Sequence, residues 1–288
     1  MQPRYKASSP GPPRDSMPFF VLPFPVIDPV LVNLGPLPIR WYALAYIFGL
    51  VAGWLLARRL VARDDLWGPI ARPRPAELDD LLLYCALGTV VGGRLFNVLF
   101  YGLDYYLAHP DQIFAVWNGG MAFHGGFLGV VVACILFARW RGYPMLAIGD
   151  LVATVAPLGL FFGRLANFIK PELWGRPADV PWAMVFPGAG PLPRHPSQLY
   201  EAGLEGLVLF ALVLVLALRG SYRRPGLVIG VFLTGYGIAR IVSEFFREPD
   251  PDLEALAHGL TMGMVLSAPL VLAGLVLIVR ALRRKPAA

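Results

Sequence analysis

Read along the chain, apolar residues gather into seven long stretches, approximately 38–57, 78–103, 121–138, 148–169, 198–218, 226–246 and 260–282, with polar residues between them. A helix needs about 20 predominantly apolar residues to cross roughly 30 Å of hydrocarbon, and each stretch is of that order. Backbone groups in lipid have no water to bond, so a spanning segment must satisfy them within its own helix. The pattern therefore predicts an all-α integral membrane protein with seven transmembrane helices.

Composition agrees: 57% of the 288 residues are hydrophobic and 15% are charged, against about 25% charged in a soluble domain. The net charge of +6 does not point to nucleic acid, because the basic residues sit in short loops and form no continuous stripe. They read as topology signals, since Lys and Arg collect on the cytoplasmic side of a membrane. Arg58, Arg59, Arg63, Arg72 and Arg74 follow the first stretch, Arg139 and Arg141 the third, Arg219, Arg223 and Arg224 the fifth, and Arg280, Arg283, Arg284 and Lys285 the last. These segments are predicted cytoplasmic. The second loop, 101–119, has no Lys or Arg, and the sixth, REPDPDLEALAHG, is net acidic. Both are predicted to face outward, as are the N-terminus and the proline-rich loop 170–197, a stiff external cap between helices four and five. Residues 1–17 read as a disordered tail ahead of a membrane domain spanning 18–288, and Met17 is an alternative start. Cys85 and Cys134 lie inside spans and form neither a disulfide framework nor a metal-ligand spacing. No cofactor is indicated.

With the sides assigned, each polar residue in a span acquires a depth at about 1.5 Å per residue. Arg164 precedes Lys170 by six positions and Arg240 precedes Arg247 by seven, about 9 and 10 Å below the outer surface. Tyr42, His124, Glu201 and Glu205 each stand near an outward helix start, and Arg94, Asn97 and Tyr101 near an outward helix end. Nearly all the polar groups within spans thus fall in the outer half. Spacing places Arg164 with Asn167 on one face, Tyr236, Arg240, Glu244 and Arg247 on another, and Arg94, Asn97 and Tyr101 on a third. Lipid does not accept such stripes, so they should line a polar chamber that opens outward.

Two readings of the arginines stay open from spacing alone. Guanidinium groups bind phosphate oxygens in bidentate geometry, which makes Arg164 and Arg240 candidates for an anion clamp. The other reading is a structural ion pair, for example Arg240 with Glu244. His124, in FHGG, has the chemistry of a general base, or is a hydrogen-bonded interhelical residue. Glu172 stands where Pro171 should end a helix, and RHPSQLYE (Arg194 to Glu201) reads as a span entry with Ser197 as a possible N-cap. A lipid-binding or lipid-transporting protein is the non-enzymatic alternative, although the polar stripes stop halfway through the membrane.

The stretch GRLANFIKPELWG resembles the signature of bacterial prolipoprotein diacylglyceryl transferases, approximately G-R-x-G-N-F-x-N-x-E-x-x-G, at Gly163, Arg164, Asn167, Phe168, Glu172 and Gly175. RWYALAY, GGRLFNVLFY, WNGGMAFHGGFLG, RHPSQLYEA and YGIARIVSEFFREPD extend the resemblance in order along the chain. It implies a bacterial inner-membrane enzyme that moves the diacylglyceryl group of phosphatidylglycerol to the lipobox cysteine of a prolipoprotein. The catalytic candidates are then His124, Arg164, Asn167, Glu172, Arg240 and Glu244. Substrate contacts are expected from Tyr42, Arg94, Asn97, Tyr101, His195, Ser197, Gln198, Tyr236 and Arg247. The chain departs from the signature at Ala166, where the family has Gly, and at Lys170-Pro171, where it has Asn-Gly.

Overall fold

The computed structural model describes residues 21–25, 27–35, 37–248 and 260–284. The tail 1–17 and most of the acidic sixth loop lie outside the described residues. An antiparallel ribbon of β1 (Val30–Leu34) and β2 (Leu37–Arg40) runs directly into α1 (Trp41–Val61). Six further long helices follow: α2 (Glu77–Phe100), α3 (Phe123–Arg141), α4 (Met145–Ile169), α5 (Ser197–Leu218), α6 (Leu227–Glu244) and α7 (Met262–Arg283). Each of the seven is long and apolar enough to cross a membrane, and the molecule is a multi-pass, mostly helical membrane protein. The ribbon was not expected. It takes residues 38–40 from the start of the first apolar stretch, and α1 begins at Trp41, where β2 ends.

The arginine-bearing loops meet at one end of the bundle. Arg141 pairs there with Glu77 at 3.1 Å and also with Asp80, while Arg223 donates to the backbone carbonyl of Asp65 at 2.9 Å. The main apolar core lies at this end: Trp67 stacks on Tyr222 with ring centroids 4.1 Å apart, above buried Phe137, Ile148, Leu151, Val213 and Val228. Asp150 of α4 is sealed inside it, yet both of its oxygens are used, accepting from the backbone N–H groups of Gly226 at 2.7 Å and Ile229 at 2.8 Å. A carboxylate from one helix thus caps the unsatisfied N-terminus of another, which fixes how α6 enters the bundle.

Small residues bring the helices together where no hydrophobic effect separates protein from lipid. On α2 and α3, Gly88 faces Gly129 and Gly92 faces Gly125 so closely that a side chain at Gly129 would stand 1.8 Å from the carbonyl oxygen of Gly88. α5 opens with one α-helical turn and widens into a π-helical stretch, Ala202–Val208. Within it, Gly206 lies against α4 so tightly that an added Cβ would meet Phe161 Cβ at 2.7 Å and its Cα at 2.9 Å.

At the opposite end the connection 170–196 is folded on itself by its backbone, Gly175 donating to His195 at 2.9 Å and Met184 and Arg194 exchanging bonds of 3.0 and 2.9 Å, and it is tied to the bundle where Arg176 donates to Phe246 at 2.9 Å. Phe24, Phe168, Trp174 and Phe186 form an aromatic cluster beneath it. The proline-rich loop is a folded lid on the end of the bundle where α4 finishes and α5 begins.

Candidate active site

Under this lid, α4, α5, α6 and the turn that follows α6 bring six charged side chains together. Glu201 is the hub: its Oε1 accepts from Nη1 of Arg240 at 2.9 Å and lies 3.8 Å from Nη1 of Arg247, while its Oε2 lies 2.8 Å from Nε of Arg164. This last contact falls off the N–H line, so it is ionic without being a hydrogen bond. Glu205 accepts from Nη2 of Arg164 at 3.2 Å, and its other oxygen is 3.8 Å from Arg240. Glu244, one turn above Arg240 on α6, takes the remaining Nη2. Tyr236 completes the group, close enough to Arg164, Arg240, Glu201 and Glu205 to interact with their charges.

Three arginines and three glutamates sum to zero, so both readings left open by the sequence must be weighed against this geometry. The ion pairs are there, on both arginines. Yet the two signs are exposed unequally: the side chains of Glu201 and Glu205 are 0% accessible and Glu244 is 5%, whereas Arg164 keeps 16%, Arg240 14% and Arg247 9%. The carboxylates are sealed, and the arginine side chains carry what exposure the cluster has. A ligand approaching this neutral cluster meets cationic donors already held in place, the arrangement that suits an anion in a region of low dielectric.

A second group forms the rim where α4 ends. Asn167 donates from Nδ2 to Oε1 of Glu172 at 2.8 Å, and Lys170 pairs with the other oxygen at 2.7 Å while lying 5.3 Å from the centre of the Tyr42 ring. Tyr42 and Tyr46 touch through their hydroxyls at 3.4 Å. The turn carrying Glu172 is held from α5, because Gln198 donates to its carbonyl at 2.7 Å and Ser197 to that of Leu173 at 3.0 Å. Leu173 has φ of 58°, a left-handed backbone that costs a non-glycine residue energy and needs such bracing. Ser197, expected as an N-cap, spends its hydroxyl on this turn.

The remaining candidates lie elsewhere. Arg94 is buried, and its guanidinium is wrapped by carbonyls of the loop after α2: Ile113 at 2.8 Å, Gly119 at 2.5 Å, Gly120 at 3.2 Å, Ala115 at 3.3 Å, and Gln112. Its donors are committed to shaping that loop, with Tyr106 over its face at 5.0 Å and bonding Asn97 at 3.5 Å. Tyr101 is exposed. His124, on the first turn of α3, is exposed and meets the rings of Phe96 and Phe123. No contact joins it to the arginine cluster among the described residues. His195 belongs to the lid, bonded through Nδ1 to the Tyr200 hydroxyl at 3.0 Å, and burial lowers its pKa. Arg247 sits beside the hub, its carbonyl accepting from Nε of Arg176 at 2.9 Å.

Glu201 and Glu205 were placed by depth but not counted among the site residues. The available signal was arithmetic: three intramembrane arginines near one surface require buried anions, and these two glutamates open the facing helix.

The family model described as prolipoprotein diacylglyceryl transferase matches residues 29–280. The chain belongs to this family. A phosphatidylglycerol–prolipoprotein diacylglyceryl transferase of Methylocella silvestris is 62% identical, over 92% of this chain and 98% of its own. Proteins of the same name from Rhodospirillum rubrum and Nitrobacter hamburgensis are 59% and 57% identical, covering 93% and 94% of this chain and 97% and 94% of their own lengths. The matched region takes in every charged side chain of the cluster and the whole rim.

Proposed function

We propose that this chain transfers the diacylglyceryl group of phosphatidylglycerol to the thiol of a prolipoprotein's lipobox cysteine, at the extracytoplasmic side of a bacterial inner membrane. The reaction forms a thioether and releases glycerol phosphate. The observation that carries the reading is the pair of partly exposed arginine side chains, Arg164 and Arg240, seated on sealed carboxylates beneath the lid.

The thiolate sulfur attacks the glycerol carbon bearing the phosphate, the carbon–oxygen bond breaks, and its electron pair leaves with the phosphate. Charge grows on that phosphate as the bond stretches. Donors fixed beforehand stabilise growing charge best, because nothing has to reorganise at the moment of reaction. Arg164 and Arg240 occupy this role, with Asn167, Glu172 and Tyr42 at the rim orienting the headgroup. The thiol, with an ordinary pKa of about 8.5, loses its proton either to His124 or to solvent, under the influence of the nearby arginines. His124→Gln separates the two routes: unchanged turnover across pH assigns the step to the arginines.

The test is to incubate purified protein with phosphatidylglycerol and a peptide carrying a signal segment and lipobox cysteine, and then to weigh the peptide. The expected result is a gain of one diacylglyceryl group, matched by released glycerol phosphate. A peptide of unchanged mass overturns the reading.

A further inference from the structure

The arginines have an evident place in this chemistry; the carboxylates behind them do not, and Glu205 is the least explained. Its side chain is wholly inaccessible and buried carboxylates are costly, so its presence within a span asks for a reason. Arg164 is already in contact with Glu201, so neutralising Arg164 does not by itself call for a second glutamate. Glu205 Oε2 accepts from Nη2 of Arg164, a different nitrogen from the Nε that faces Glu201. Two anions thus grip two edges of one planar group, which fixes its rotation as well as its position. The other oxygen, Oε1, has no hydrogen bond among the described residues and points toward Nη1 of Arg240 at 3.8 Å. Glu205 therefore sits between the two guanidinium groups and sets their separation.

The backbone is shaped to put it there. Glu205 lies within the π-helical stretch of α5, a form that is rare and concentrated at functional sites. The next residue, Gly206, packs directly against Phe161 of α4, one turn from Arg164. We infer that Glu205 is a positioning residue for diacylglyceryl transfer: it touches no substrate, and it holds Arg164 and Arg240 at the spacing and tilt that fit the departing phosphate. This inference rests on the function proposed above.

Orientation of this kind matters most when charge is largest, so its loss lowers kcat more than it raises KM. Glu205→Gln keeps an acceptor for Arg164 and removes the charge, whereas Glu205→Leu removes both. The test measures kcat and KM for phosphatidylglycerol with the lipobox peptide, alongside the thermal melting of each purified variant. The expected kcat order is wild type above Gln above Leu, with a fall of roughly 10-fold for Gln and 100-fold or more for Leu, and KM within about 3-fold. Gly206→Ala, which leaves every charge in place and pushes α5 from α4, is expected to lower kcat in the same sense. Wild-type kcat in folded Gln and Leu variants overturns the inference. So does a loss carried by KM alone, or one that follows the loss of folded protein while folded Gly206→Ala turns over normally. An inactive wild-type protein overturns the functional reading instead, so the two failures are distinguishable.

Discussion

At the scale of the residue, the site depends on matching charges in a place where water cannot compensate for an error. Removing one member of a buried pair leaves its partner uncompensated, at about 3–5 kcal/mol. Arg240→Ala strands Glu244 and part of Glu201, so it should lower both turnover and the yield of folded protein. Arg240→Ala combined with Glu244→Ala removes one charge of each sign. The double variant is expected to recover thermal stability while transfer stays roughly 10²–10³-fold down; recovery of transfer along with stability would falsify a direct role for Arg240. His195 offers a separate check on the lid. Burial lowers its pKa, so the folded lid favours neutral imidazole, and the stabilisation is full above the unfolded value of about 6.5. It is lost as pH falls through that value toward the lower folded one, because the unfolded chain takes up the proton first. Protection factors across 175–195, taken as the intrinsic exchange rate at each pH divided by the observed one, should therefore fall between about pH 7.5 and 5, and His195→Asn should flatten that dependence. Residue identity was legible in the sequence wherever a charge lay deep in a span, as with Arg164 and Arg240. Contacts were not: Arg94 was expected to line the outward chamber and touch substrate, but its donors serve five carbonyls of a loop whose path no periodicity encodes.

At the scale of the element, the seven helices were legible because lipid imposes one length and one hydrogen-bonding solution on any spanning segment. The ribbon before α1 was not, since a short strand pair leaves only a brief alternation and here merges into the first apolar stretch. The π-helical turn of α5, which contains Gly206, has no compositional mark either. Close glycine contacts carry a prediction at this scale. A methyl group at Gly129 would collide with the backbone of Gly88, which cannot swing away, whereas one at Gly159 meets nothing within 4 Å. Gly129→Ala should cost more than about 3 kcal/mol, the upper end for ordinary overpacking, and sharply reduce protein accumulating in the membrane. Gly159→Ala should match wild type. Equal accumulation of the two variants would mean that α2 and α3 do not meet at these glycines.

At the scale of the whole molecule, polarity is segregated along the bundle axis. Trp67, Tyr222 and Phe137 fill the end where the arginine-bearing loops meet, and the charged cluster with its lid fills the other. This asymmetry suits the proposed function, in which the site receives a lipid headgroup from one leaflet and a peptide from one side. On the proposed function, orientation becomes a physical requirement as well as a charge statistic, because the lid would have to face the side where prolipoproteins arrive. Helix α5 joins the two ends: its 22 residues span about 33 Å at 1.5 Å per residue, from the lid to exposed Arg219. Single cysteines at Asp179 in the lid and at Arg219, introduced after Cys85 and Cys134 are replaced by Ala, test this in intact spheroplasts with a membrane-impermeant thiol reagent. Position 179 should label at once and position 219 only after the membrane is opened. The reverse pattern would put the arginine cluster against the cytoplasmic leaflet, where the orientation set by Arg58 to Arg74 and the proposed encounter with an exported substrate fail together.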